Sequence, residues 1–203
     1  MIRNVVFDMG NVLLRFEPEL FMTRRGIVDP EDRDTVMREM FQSVEWVQMD
    51  MGILKEETAE PLILERIPER LRDRARDMLY HWWEPRQMLP GMERLVKRLK
   101  KAGYGIYLLS NASVHQPEYW ESVPVSQLFD GTMISAIVKV IKPCPAIYRL
   151  FTEEFGLKEE ECVFIDDSPV NVAGAVACGW KGIVFHGDPV ETEEKLKALG
   201  LDF

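Results

Sequence analysis

Cysteine, histidine, long apolar runs and cationic excess are all scarce in this chain, and each shortage narrows what it can be. Three cysteines in 203 residues, Cys144, Cys162 and Cys178, form no CxxC pair, and any disulfide scheme leaves one over. They read as small buried residues in a reducing compartment. Three histidines without a His/Cys cluster argue against a structural zinc site. No apolar run approaches the roughly 18 residues a membrane span needs. Asp8 cuts short the apolar stretch near Met1 before it reaches signal-peptide length. With 25 Lys and Arg against 34 Asp and Glu the formal charge is −9, and no basic stripe offers itself to a nucleic-acid backbone. The expectation is a cytoplasmic protein with neither nucleic-acid nor membrane partners, its oligomeric state left open. A small phosphorylated substrate stays compatible with the acidity, because a few placed cations and a metal outweigh a distant average.

Apolar residues, by contrast, are plentiful. At 46% of the chain, with 10% aromatics, they suffice for a core, and the length allows one domain or one domain with a sizeable insertion. Four short apolar runs end abruptly in polar groups: Asn4–Phe7 before Asp8, Gly105–Leu109 before Ser110-Asn111, Cys162–Ile165 before Asp166-Asp167, and Lys181–Phe185 before His186. Such runs suit strands buried on both faces. Between them lie helical patterns. Met92, Leu95, Val96 and Leu99 share one face, with Gly103 as a stop; Ile147, Leu150 and Phe151 repeat the spacing before Gly156; Ser168-Pro169 opens a helix that closes near Gly179. Strand alternating with helix predicts an α/β fold, a Rossmann-like parallel sheet with helices on both faces.

The interval 16–87 shows no strand-like run. Val36, Met37, Met40, Phe41 and Val44 share one helical face there, and Leu71, Ala75, Met78, Leu79 and Trp82 another. Residues 1–15 and 88–203 are therefore expected to form the α/β core, and 16–87 an all-helical insertion after the first strand. Its stretch Glu65–Asp77 sets five arginines against four acids, a solvated mixed face.

Ligands of open parallel sheets bind at the carboxyl ends of the strands. Those ends offer Asp8, Ser110, Asn111, Asp166 and Asp167, and Lys142-Pro143 lies in a loop before another helix. Three carboxylates alone repel; a hard divalent cation such as Mg²⁺ together with Lys142 brings the local charge to zero. Ser110 and Asn111 supply neutral donors for phosphate oxygens, and Lys142 a compact positive charge. Taken singly, each is as readily a helix cap or a surface residue, and only their conjunction points to a site.

In that conjunction the chain resembles the haloacid dehalogenase-like hydrolase superfamily over its whole length. Phe7-Asp8-Met9-Gly10-Asn11-Val12-Leu13 resembles the first motif, Leu108-Leu109-Ser110-Asn111 the second, Lys142-Pro143 the third, and Phe164-Ile165-Asp166-Asp167 with Asn171 the fourth. The form of the first motif is most similar to bacterial α-D-glucose-1-phosphate phosphatases with a small helical cap, whose place the interval 16–87 occupies. The resemblance implies a phosphatase working through an aspartyl-phosphate on Asp8. Asp8, the Gly10 carbonyl, Asp167 and, through water, Asp166 would hold Mg²⁺. Ser110, Asn111 and Lys142 would bind the phosphoryl group, Lys142 also serving catalysis. Trp46, Trp82, Trp83 and His81 are candidates for lining a sugar pocket, or ordinary core aromatics, and the cap would open and close about crossings near Phe16 and Gln87–Gly91.

Three departures bear on this. Gly10 stands where most phosphatases of the superfamily carry a second Asp as general acid and base, a loss of about 10²–10⁴-fold help that hurts least with sugar 1-phosphates, whose hemiacetal leaves easily. Lys139 and Cys144 replace the usual Gly and Asp around the third motif; Lys142 is preferred as the phosphate lysine because Pro143 fixes its loop. The competing readings are a metal-independent haloacid dehalogenase, which would not require Asp166-Asp167, and a weakly active phosphate-binding regulatory protein.

Overall fold

In a computed structural model, which describes residues 1–82, 84 and 87–203, the first strand β1 (Asn4–Phe7) lies at the centre of a sheet completed by β2 (Gly105–Ser110), β3 (Gly131–Ile134), β4 (Cys162–Asp166) and β5 (Lys181–Val184). All pairings are parallel, in the order β3-β2-β1-β4-β5. Every residue of β1 and β4 is buried, as expected for strands covered on both faces. The register aligns Phe7 with Leu108 on one side and Ile165 on the other, so Asp8, Ser110 and Asp166 emerge together at the carboxyl edge. Helices α6 (Met92–Lys101), α9 (Pro145–Phe155), α10 (Pro169–Ala177) and α11 (Pro189–Ala198) cover the faces, and the short α7 (Gln116–Trp120) and α8 (Ser135–Val138) follow β2 and β3.

The fourth neighbour of that sheet, β3, has no counterpart among the expected strands. It is four residues long, at an edge, and opens with glycine, a residue disfavoured in strands. The glycine has a packing cause: a Cβ on Gly131 would run into the Phe155 ring.

Among the described residues the elements between β1 and α6 are all helices, joined by turns and loops: α1 (Pro18–Arg24), α2 (Pro30–Val36), a π-helical turn (Met37–Phe41), α3 (Val44–Asp50), α4 (Glu56–Arg66), a 3-10 turn (Glu69–Leu71) and α5 (Arg72–His81). These helices share an apolar cluster running from Phe21 to Leu79, separate from the two clusters that sandwich the sheet. The chain enters and leaves this region side by side, with Arg15 N–H donating to Gln87 O and Leu89 N–H to Leu13 O, both at 2.9 Å. The single face expected through Val44 is broken. Ser43 Oγ donates to Met40 O at 2.8 Å and accepts from Trp46 N–H at 3.2 Å, ending one helix and starting the next, and Val44 is 62% exposed.

Local corrections have similar causes. Ser168 precedes α10 but its hydroxyl makes no capping bond; the Asp166 carboxylate accepts its N–H instead. Of the three cysteines only Cys162 is buried, and burial pushes its thiol up to about 12; Cys144, between two prolines at the start of α9, is exposed. The arginine-rich stretch is solvated as expected: Arg66, Arg70 and Arg76 pair with carboxylates on neighbouring helices. Among the described residues no helix is long and apolar enough to cross a membrane.

Candidate active site

β1 delivers Asp8 to the sheet edge, where its N–H continues the ladder to Ile165 O at 2.8 Å. The chain then turns sharply, with Leu13 and Leu14 N–H both donating to Met9 O and Asn11 in the left-handed region at φ 53°. That conformation, which asparagine tolerates, lets Asn11 accept from Phe16 N–H at 3.0 Å and donate to Asp167 Oδ2 at 3.3 Å. Gly10 follows from neither need. Its φ is not left-handed, and an added Cβ would meet only Phe16 Cβ at 3.7 Å, so the position has room for a side chain it lacks.

Lys142 arrives from the loop before α9 and is wholly enclosed. Its Nζ donates to Asp8 Oδ1 and Asp166 Oδ2, both at 2.7 Å, and to Leu109 O at 3.0 Å, so all three ammonium protons are used. The Phe164 ring lies 5.1 Å beneath it. Asn111 holds this lysine by its backbone, accepting from Lys142 N–H at 2.8 Å and donating to Lys142 O at 3.0 Å. Its amide is therefore engaged in building the loop as well as facing the cavity. Lys139, the other candidate, donates to Gly52 O in the insertion. Asp166 is equally engaged: besides Lys142 it accepts from Ser168 N–H at 2.8 Å and from Asn171 Nδ2 at 3.1 Å. Asn171 is itself fixed by Tyr148 Oη, which donates to its carbonyl at 2.7 Å.

Carboxylate oxygens of Asp8, Asp166 and Asp167 come within 4.8 Å of one another. Burial pushes the Asp8 carboxyl up to about 7; Lys142 opposes that shift and Asp166 adds to it. Asp167 is raised by burial and by Asp166, whereas Lys142 is raised because Asp8 and Asp166 together outweigh its own burial. An all-oxygen donor set carrying excess negative charge is what Mg²⁺ selects, and these residues fit it.

A cavity of about 220 Å³ opens over this group. Asp8, Gly10, Asn11, Ser110, Asn111, Lys142, Asp167 and Asn171 form its floor; Phe16, Trp46, Met49, Asp50, Glu56, Leu79 and Trp82 from the helical region form its roof, with Tyr119 at the side. Phe16 is the hub of the roof, its ring centroid 5.0 Å from Trp82, 5.7 Å from Phe21 and 6.1 Å from Trp46. Trp46 and Trp82 thus face the cavity, His81 lines a neighbouring one, and Trp83 lies outside the described residues. Three polar groups beside these were not singled out by sequence: Asp50, Glu56 and His115. Glu56 accepts from Ser113 Oγ and lies 3.4 Å from His115 Nε2. Only the Asp50-Met51-Gly52 turn signal hinted that α3 ended at a useful place.

Known proteins resemble this chain in sequence and in fold. Flavin mononucleotide hydrolase 1 of Arabidopsis thaliana is 29% identical over 98 residues, 48% of this chain and 40% of that one, so the chain spans less than half of that relative's length. The glyceraldehyde 3-phosphate phosphatase of Pyrococcus furiosus is 23% identical over 210 residues, 97% of this chain and 86% of the other. A solved enzyme of the same superfamily from Bacteroides thetaiotaomicron, crystallised with magnesium and inorganic phosphate, superposes with a TM-score of 0.76 at 22% identity, over 95% of this chain and 99% of that one. At that identity the likeness shows the fold. The family match runs through residues 2–179, from before β1 to beyond α10, and by it the chain belongs to the haloacid dehalogenase-like hydrolases.

Proposed function

We propose that the chain is a Mg²⁺-dependent phosphatase of small phosphorylated metabolites, sugar phosphates foremost. The observation that carries this is the fully enclosed Lys142 between Asp8 and Asp166, beside an Asp167 that has no cationic partner among the described residues. Lys142 orients Asp8 through Oδ1 and leaves Oδ2 to attack phosphorus in line. Asp8, Asp167 and the Gly10 carbonyl would hold Mg²⁺, with Asp166 steadying Lys142 and reaching the ion through water; such an ion would supply positive charge against the transferring phosphoryl group. Ser110 meets the phosphoryl oxygens, Lys142, its three protons held by Asp8, Asp166 and Leu109 O, offsets their charge from close by, and Asn111 keeps the Lys142 loop in register. The two-step path, ester to aspartyl-phosphate to free phosphate, divides one hard displacement into two easier ones. Residues 16–87 serve as a cap whose aromatic roof excludes water and meets the apolar face of a sugar.

Support comes from the phosphatases among the relatives and from the phosphate-bound neighbour. The test is phosphate release from a panel of metabolites with and without Mg²⁺. Release that needs Mg²⁺ and disappears in Asp8→Asn is expected. Activity surviving that substitution, or halide release from 2-haloacids that persists in EDTA, sinks the reading.

A further inference from the structure

We propose that Asp50, carried by the helical insertion, is the general acid and base of this site and protonates the leaving-group oxygen from the roof of the cavity. The inference rests on the phosphatase reading and adds a catalytic residue to it. On the floor no carboxyl is left for the task. Gly10 has none, Asp8 is the nucleophile, Asp166 is engaged by Lys142, Ser168 and Asn171, and Asp167 belongs with the metal. The roof holds two, Glu56 and Asp50. Glu56 is turned to Ser113 and His115, its Oε1 accepting from Ser113 Oγ and its Oε2 lying 3.4 Å from His115 Nε2. Among the described residues the Asp50 carboxyl has neither a hydrogen bond nor an ion pair, and it lines the same cavity as Asp8.

Its backbone, by contrast, is tightly held. Asp50 O accepts from Ser135 Oγ at 2.6 Å, and the same Oγ accepts from Ala112 N–H at 3.0 Å, tying the end of α3 to the segment that follows Ser110 and Asn111. Two residues on, Lys139 Nζ donates to Gly52 O, and Gly52 sits at φ +63° so close to the Ala136 carbonyl that a Cβ would collide with it. A carboxyl with a pinned backbone and an unengaged head is preorganised for proton transfer.

The charged and titratable groups facing it are Lys142, Asp8 and Glu56, with the Tyr119 phenol nearby. Burial pushes the Asp50 carboxyl up to about 7, with Asp8 and Glu56 adding to the rise and Lys142 opposing it, so near neutrality it carries a proton to give.

The steps balance. As Asp8 Oδ2 bonds to phosphorus, the P–O bond to the leaving group breaks, its electron pair stays on that oxygen, and the oxygen takes the Asp50 proton. A water then attacks phosphorus and gives its proton to the Asp50 carboxylate. The acyl phosphate bond breaks, returning Asp8 as carboxylate and releasing phosphate. With this acid present the enzyme has no need of an unusually good leaving group, and the restriction to sugar 1-phosphates expected from Gly10 falls away.

The experiment compares Asp50→Asn with the unaltered enzyme, holding Mg²⁺ saturating, on an alkyl phosphate and on 4-nitrophenyl phosphate. Because alcohol release is irreversible at initial rates, kcat/KM reports the first half-reaction alone. The alkyl ester should lose about 10²–10⁴-fold in kcat/KM, and the nitrophenyl ester, whose phenolate leaves without a proton, less than about threefold. In the unaltered enzyme kcat/KM for the alkyl ester falls as pH rises through the Asp50 titration, and the variant lacks that limb. The nitrophenyl arm also reports folding, and Asp50→Ser should reproduce the split. Equal loss on both esters, or no loss on either, overturns the proposal. An unaltered enzyme that releases phosphate from neither ester overturns the phosphatase reading itself.

Discussion

Lys142 at the sheet edge and Arg76 on the helical insertion each hold two carboxylates, yet Asp8 beside the one and Glu60 beside the other move in opposite directions. Arg76 pairs with Glu60 at 2.6 Å and Asp73 at 2.8 Å on the surface, and its hydrogen bond keeps Glu60 below the usual carboxylate range. Lys142 pairs with Asp8 at an almost identical 2.7 Å, and Asp8 nevertheless rises to about 7. The difference is water. The Lys142 side chain is 1% exposed against 46% for Arg76, and removing hydration from a carboxylate costs more than one shared ammonium returns. Pairing alone therefore does not decide the state of an acid, and at the sheet edge Lys142 leaves negative charge over, which the proposed Mg²⁺ would offset.

The contrast can be broken most forcefully at the lysine. Lys142→Met leaves Asp8 and Asp166 facing each other without a counter-ion, and should cost about 3–5 kcal/mol in metal-free urea unfolding; a loss under about 1 kcal/mol would show that burial is less severe than the geometry implies. Asp50 sharpens the comparison in the other direction. Its folded-state value lies above the ordinary 3.8, so the folded protein binds that proton more tightly than the unfolded chain does. Stability is therefore lost as pH rises from about 4 through 7 and is flat above. Asp50→Asn should gain stability at pH 8, by no more than about 4 kcal/mol since cavity water softens the effect, and the gain should narrow as unfolding is measured toward pH 5. Smallest of all is Arg76→Ala, for which thermal unfolding should shift by no more than about 3 °C, because exposed pairs are screened.

Much of this was legible in the chain because it is local. Four of the five strands are unbroken apolar runs, and their polar ends mark Asp8, Ser110 and Asp166 directly. Helix stops are equally local: Gly103, Gly156 and Gly179 all adopt the left-handed conformation that ends a helix. β3 was not legible, since four edge residues beginning with a glycine kept small by Phe155 carry no strand pattern. Nor was the break at Ser43, where apolar spacing continues through a residue that caps the next helix. Asp50 was hidden for another reason: one acid at a helix end is ordinary, and only its place over Asp8 makes it distinctive.

Residue pattern alone is enough for the strands of the parallel sheet, the polar groups at their carboxyl ends and the helical character of the insertion, because each depends on neighbours a few residues apart. The tertiary structure decided that Lys142, 134 residues from Asp8, is enclosed between Asp8 and Asp166, and that α3 turns Asp50 over them. No local pattern encodes which face an insertion presents to the sheet. That is settled by the fit of Gly52 against Ala136 and by the bonds from Ser135 and Lys139, contacts between segments that only folding brings together.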